Sequence, residues 1–533
     1  MTIHSPTRRA TLAAALSAGA GLLASPRLGH AQAARPLRFV AQADLTILDP
    51  IWTPGIVSRN HGLMVFDTLY GVDAELRPQP QMAAGHVIED DGRRWIITLR
   101  PGLRFHDGEP VRARDVVASI QRWGKRDTFG IALMAITDEL SALDDTRLQF
   151  RLKRPFPMLA DALGKPGTMN AFIMPERLAQ TDAATQVTEM VGSGPFRFVA
   201  NEHVVGARTV YEKFTGYVPR EGGTPSLLAG PKIVHFDRVE WVSVPDPSTA
   251  AAALQQGEID WWEQPPADLA QAMKRNRNIT QEVLDTFGSP GFLRFNQLHP
   301  PFNRPEMRRA LLGAVSQADF MQAVAGDDRS LWRADLGFFL PGSPMASDEG
   351  MSALTGPRDL DAVKRALEAA GYKGERIIHL QPTDYPSVSA MNVVAADMMR
   401  RCGMNVELQA MDFGTFIRRI ANQEPPERGG WNSVCVSTAG ASWVNPAAHN
   451  YLRGNGTRSI VGWPVSERLE TLRDRWFETP PEGQAALGRE MQAAAFEDVP
   501  FIPAGLFYQS TAYRSDLTGM VKGAPVFWNL RRR

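Results

Sequence analysis

Residues 100–111 read Arg100-Pro101-Gly102-Leu103-Arg104-Phe105-His106-Asp107-Gly108-Glu109-Pro110-Val111, with Asp115-Val116-Val117 just beyond. Pro101-Gly102 sets one tight turn, and His106-Asp107-Gly108 sets another. A helix over 114–123 should follow, with Val116, Val117, Ile120 and Trp123 on one face. His106 and Asp107 could be read as two metal ligands. Adjacent positions project differently and no third ligand is close in sequence, so turn chemistry is the reading.

Working outward, 95–99 alternates like a strand, 59–69 reads as a helix and 37–40 as a first strand. Downstream, Gly192-Ser193-Gly194-Pro195 breaks the chain before a strand at 196–199. No third glycine and no Lys-Ser/Thr follows, so it is not a phosphate loop; Gly194 is expected to supply a conformation that only glycine adopts cheaply. Strands are expected at 238–244, 259–262 and 292–296, with a helix over 249–256 stopped by Gly257. Asn303 and Glu306 look like a capping pair with Pro305 in the first turn. Met307, Ala310, Leu311 and Ala314 give that helix its apolar face. After a helix over 360–370, strand 377–380, helix 389–402 and strand 405–409 form a βαβ unit, which requires parallel pairing.

The 533 residues carry 58 basic and 58 acidic side chains. That balance leaves no electrostatic footprint for nucleic acid or an anionic membrane. Cys402 and Cys435 are too few for a disulfide scaffold or a structural zinc site; whether they pair is left open. The length predicts two to four domains at ~150 residues each. At the N-terminus, Arg8-Arg9 precede a weakly apolar stretch over 12–23 and the cleavage-like Ala31-Gln32-Ala33. This resembles a twin-arginine signal, although Thr11 departs from the usual bulky residue; an ordinary Sec signal is the other reading. Residues 1–33 are thus expected to be a cleaved signal peptide. With no cysteine at the cleavage point, the product should be periplasmic and not lipid-anchored.

Six blocks occur in one order: 100–111, Gly192–Phe196, Gln256-Gly257-Glu258-Ile259-Asp260, Phe295-Asn296 with Pro301-Phe302, Met307-Arg308-Arg309-Ala310-Leu311, and Pro341-Gly342-Ser343-Pro344. Together they resemble the family 5 extracellular solute-binding proteins, the peptide/nickel-binding components of ABC importers. The resemblance implies an α/β, two-lobed periplasmic binding protein fold, type II-like, with an extra inserted domain. Lobe I would comprise 34–79, 190–290 and 500–533, the inserted domain 80–189, and lobe II 291–499. Two strand crossings would form a hinge. The implied partners are a small-molecule or peptide-like ligand and the ABC permease subunits of the inner membrane, with no nucleic acid and a monomeric receptor.

A binding cleft needs apolar walls and a few placed polar groups. Candidates are Trp52 and Thr53 after the first strand, and Phe287 and Ser289 before the strand that opens lobe II. Trp431, Ser437, Ser442, Trp443, Asn445 and Arg453 follow in a Gly/Ser/Asn-rich region. Trp431 reads equally as core, and Arg453 equally as a surface charge. Many peptide-binding members carry an acidic D-Y-P-D-P-like stretch that tethers the ligand α-ammonium. Here the corresponding residues are Ser442-Trp443-Val444-Asn445-Pro446. A buried ammonium without its counter-charge costs about 3–5 kcal/mol, so a neutral or anionic solute is expected, with Arg453 as an anion partner.

No catalytic residue, metal site or cofactor is expected. H-E-x-x-H and G-x-S-x-G are absent, and Asp90/Asp91 and Asp144/Asp145 read as solvated turns. His449 is the one histidine near the candidate loop, and direct metal binding there is not expected. The rival functions are a periplasmic hydrolase using the cleft as an active site and a transport-independent solute sensor or chaperone.

Overall fold

The computed structural model describes residues 35–533; the expected signal segment lies outside the described residues. Leu37–Val40 is the centre of a seven-stranded sheet, ordered Phe196–Phe198, Arg208–Lys213, Arg238–Val242, Leu37–Val40, Trp261–Trp262, Ser510–Arg514, Ile279–Val283. It pairs in parallel with Arg238–Val242 on one side and Trp261–Trp262 on the other. The connection between those neighbours is the helix Pro247–Gln256. Asp246 caps it by accepting from the Thr249 N–H, and Gly257 ends it at φ +78° as its sequence predicts. Phe39 meets Trp261 and Phe527 edge-on, with centroids 4.9 and 5.0 Å away, and this aromatic cluster is the core of the sheet.

A second sheet has six strands, ordered Trp332–Arg333, Phe501–Phe507, Ser289–Phe295, Ser433–Ser437, Arg376–Pro382, Asn405–Met411. The expected βαβ unit is present: Arg376–Pro382 and Asn405–Met411 run parallel, joined by the helix Pro386–Arg401. Between the first two segments of the seven-stranded sheet, the chain builds an antiparallel sheet of its own, Ala83–Glu89, Arg94–Leu99, Arg147–Leu152, Thr137–Ala142. The helix Ala113–Trp123 packs there, burying Val116, Ile120 and Trp123.

The chain passes from the seven-stranded to the six-stranded sheet across 284–288 and returns across 508–509. The return lies later than the sequence suggests. Phe501–Phe507 pairs with Ser289–Phe295 inside the six-stranded sheet, so 501–507 sits with the second lobe's strands. One local expectation also changes, and the open cysteine pairing is answered. The helix predicted from Asn303 begins at Pro305, with Arg304 at the cap position and no side-chain cap. Cys402 and Cys435 are both free and buried.

Two of the sequence blocks meet in space. His106 Nδ1 accepts from the Gly192 N–H at 3.2 Å, and Nε2 donates to the Gly194 carbonyl at 3.0 Å. Burial, opposed by the Gly194 hydrogen bond, pushes the His106 pKa down to about 4, so the ring is neutral and one tautomer satisfies both bonds. Gly192 and Gly194 press against the end of the helix Ile56–Val65. A Cβ on Gly192 would lie 2.0 Å from the Val65 carbonyl oxygen, and one on Gly194 2.6 Å from the Val65 carbonyl carbon. Gly194 is therefore required for close backbone approach; it is not among the glycines with positive φ, which corrects the sequence expectation. Gly192→Ala should overpack this contact and destabilise the protein by about 1–3 kcal/mol or more. Urea unfolding followed by tryptophan fluorescence measures this, and an unchanged midpoint would show that the loop relaxes freely.

Candidate ligand-binding site

The helix Phe413–Ile420 places apolar side chains at i, i+3, i+4 and i+7: Phe413, Phe416, Ile417 and Ile420. Asp412 caps it by accepting from the Thr415 N–H at 2.9 Å. These four side chains form one wall of a cavity of about 270 Å³. Tyr385 and Val388, at the start of the helix Pro386–Arg401, continue the wall, followed by Val436, Ser437, Tyr451 and the 459–463 loop. The opposite wall is Gln42 and the turn 52–57, with Arg126 from the inserted segment. Segments of both lobes thus contribute to one partly open space, mostly apolar with a few polar groups, which is the composition of a small-molecule site.

The turn 52–57 is held from below by charge. Asp49 and Arg122 are buried and paired at 2.6 Å, and Asp49 also accepts from the Val187 N–H. Arg126 Nη2 donates to the Trp52 carbonyl at 2.8 Å, with its guanidinium 5.9 Å from the Trp52 ring centroid. Asp127, the next residue, caps the helix Thr128–Ile136 and is paired with buried Lys165. Across the cavity the Tyr385 hydroxyl donates to Gln42 Oε1 at 3.0 Å, a direct bond between the lobes.

Behind Gln42 lies a buried polar cluster. Glu263 accepts from the Gln42 N–H at 2.7 Å and from Asn60 Nδ2 at 3.1 Å; Asn60 Oδ1 in turn accepts from Arg59. Burial, opposed by those bonds and by Arg59, raises the Glu263 pKa to about 7. Asp285, in the first crossing, is also raised by burial. Arg59 is lowered by burial, with Asp285 and Glu263 opposing. Arg59, Glu263, Asp285 and Ser289 line a small void of about 50 Å³ beside the crossings.

Of the residues singled out in the sequence, Trp52, Thr53 and Ser437 line the 270 Å³ cavity and Ser289 lines the small void. Phe287 lies in the crossing, its N–H held by Asp285 at 3.0 Å. The others are corrected. Trp443 is fully buried among Phe292, Phe501 and His449, with centroids 5.4, 5.2 and 4.4 Å away, in the core of the six-stranded lobe. Trp431 is core behind the wall, donating to the Ile420 carbonyl and packing on Trp463. Ser442 is buried against Gly167, and Asn445 accepts from the Ala448 N–H. Arg453 is engaged by Glu470, at 2.9 and 2.7 Å, and is not free for an anion. His449 uses both ring nitrogens, with the Phe338 carbonyl and the Leu452 N–H, and burial pushes its pKa well down.

Sequence reading passed over the Phe413–Ile420 helix, Tyr385, Gln42 and Arg126. The helix had a usable signal in its apolar spacing; the other three had none.

A larger groove of about 780 Å³ shares Gln42 and runs along Phe507–Ser510. Most of its charges are engaged: Lys274 with Asp328 at 3.9 Å, Asp327 with Gln322, and Glu282 with Lys522 and the Tyr513 hydroxyl. The smaller cavity is therefore the better candidate for a solute.

The profile of the bacterial extracellular solute-binding proteins, family 5 (middle segment), matches residues 77–457. The chain belongs to this family. A relative from Sinorhizobium fredii, described as a probable peptide ABC transporter periplasmic-binding protein (y4tO), is 35% identical over 99% of each chain. Among solved structures, the binding protein AgaA of A. tumefaciens R10 with agropinic acid superposes with a TM-score of 0.77 at 21% identity, covering 94% of this chain and 99% of that one. A dipeptide-binding protein from Pseudoalteromonas with Met-Leu gives 0.76 at 18% identity, covering 94% and 100%. This family 5 protein thus has the two-lobed periplasmic binding protein fold and is a solute-binding component of an ABC importer.

Two outcomes are expected. Trp443→Ala should destabilise the unliganded protein by about 3–5 kcal/mol, the cost of emptying a buried indole site, as read by denaturant unfolding. Glu263 has a folded pKa near 7 against an ordinary 4.5. Its contribution to stability is therefore fully present below about pH 4.5 and is lost as pH rises through 7. Between pH 5 and 8, wild type should lose stability relative to Glu263→Gln by on the order of 3 kcal/mol. Parallel pH profiles of the two proteins would disprove the shift.

Proposed function

We propose that this family 5 protein is a non-catalytic periplasmic receptor that captures a compact organic or peptide-like solute between its lobes and delivers it to the membrane permease. The observation that carries the reading is the cavity walled by the turn 52–57 of one lobe and the helix Phe413–Ile420 of the other. A solute touching the turn 52–57 on one side and the Phe413–Ile420 helix on the other favours the closed arrangement, because only that arrangement makes both sets of contacts. Among the described lining residues there is no histidine and no carboxylate, which argues against a nucleophile–base pair and so against the hydrolase alternative.

The Arg8-Arg9 pair and Ala31-Gln32-Ala33 support export by the twin-arginine route with cleavage, and the receptor acts as a monomer. The description of the Sinorhizobium relative supports a peptide-like cargo.

Thermal-shift screening of small peptides, opines, sugars and metal chelates should find compounds that raise the melting midpoint with saturable dose dependence. Mass spectrometry should recover them unchanged; a converted product would overturn the receptor reading. Trp52→Ala should weaken binding of such a hit about tenfold, or ~1.4 kcal/mol. The unliganded midpoint should barely move, because the ring is only half-buried.

A further inference from the structure

Arg126 is the single side chain lining the 270 Å³ cavity that carries a full charge at neutral pH. It forms no ion pair among the described residues. Its Nη2 donates to the Trp52 carbonyl, and its Nε is buried with no hydrogen-bond partner. Asp49, the acid that acts on it electrostatically, is already occupied by both nitrogens of Arg122 and by the Val187 N–H. Gln42, also buried, spends its Oε1 on Tyr385 and Gln264 and leaves its Nε2 without a partner on the same cavity. The cavity therefore has one cationic lining side chain and no ionised acceptor, and two donors packed into its wall, Arg126 Nε and Gln42 Nε2, lack a partner.

A guanidinium does not lose its proton in a protein, and half-buried Arg126 has a carbonyl partner but no counter-charge. A ligand carboxylate supplies one, and its geometry matches the guanidinium fork. A ligand ammonium meets the opposite situation. No acidic side chain lines the cavity, and Glu263, the nearest carboxylate behind Gln42, has its bonds filled by Gln42 and Asn60. Phe413, Phe416 and Ile417 face the remainder of the space with apolar surface. The volume lies below the ~300–1,000 Å³ usual for drug-sized ligands.

We infer that the cavity selects a compact organic carboxylate with an apolar body, its anionic end held by Arg126, and discriminates against solutes bearing a free ammonium. The inference rests on the receptor reading and names the ligand class of that site. It places anion recognition on the inserted segment, at the Trp52 turn, and away from Arg453.

The test is isothermal titration of the full protein with 3-phenylpropanoate, 3-phenylpropanamide and 3-phenylpropylamine, which share one apolar body. The acid should bind at least about tenfold more tightly than the amide or the amine. In Arg126→Gln the ratio of acid to amide affinity should fall to within about threefold. Arg126→Lys, which retains the charge but not the fork, should keep part of the preference; it also serves if the glutamine variant fails to fold. An acid preference unchanged in Arg126→Gln, a preference for the amine or amide, or no binding of the acid at millimolar concentration each overturns the inference. Binding of zwitterionic peptides in that last case leaves the receptor reading intact. Chemical conversion of a bound compound would instead strike at the receptor reading.

Discussion

Both crossings between the lobes begin and end as paired strands. On the six-stranded side Ser289 faces Phe507, and on the seven-stranded side Val283 faces Ser510. The ladder is interrupted only between those two pairs, by five residues on one strand and two on the other. Two covalent links held side by side in this way resist separation and shear of the lobes, and leave rotation about the interrupted segment as the soft motion. Everything at the solute cavity depends on that restriction, because its two walls belong to different lobes and are brought together by the same pair of strands.

The walls themselves are fixed by unlike means. The lobe II side is a packed apolar surface, where Phe413 stacks with Phe416 and meets Tyr385 edge-on. The lobe I side is a short irregular turn with little core of its own. It is rigid because Asp49 and Arg122 tie it to the inserted segment, and because Asp127 with Lys165 anchors the helix that follows Arg126. Buried ion pairs are weak contributors to net stability but set geometry firmly, since loosening either partner strands a charge away from water. A cation held against a fixed turn suits a site that must recognise a small guest.

Much of the fold is legible in the chain because it is local. The parallel pair 376–382 and 405–411 with its helix follows from hydrophobic spacing and short connections, and Gly257 ends its helix where expected. The family blocks bring in the two-lobed arrangement. What local pattern does not carry is partner choice. The run 501–507 is apolar throughout and would suit the interior of either sheet. Gly194 serves a backbone contact with Val65, far upstream in sequence. The site divides along the same line. Trp52 and Trp443 both sit among small polar residues, yet one lines the cavity and the other is sealed by Phe292 and Phe501, strands remote from it in the chain. Arg126 and Arg453 look alike in sequence, and only the position of Glu470 separates the guanidinium that has a carboxylate partner from the one that has only a carbonyl.

The two cysteines carry a consequence for the life history of the chain. Both are buried, and burial raises the thiol of Cys402 to about 11 and that of Cys435 higher still. Thiolate is the reactive form, so neither sulfur offers a foothold to oxidants once the six-stranded lobe has closed around it. In the folded receptor the packing around both thiols shields them in an oxidising compartment.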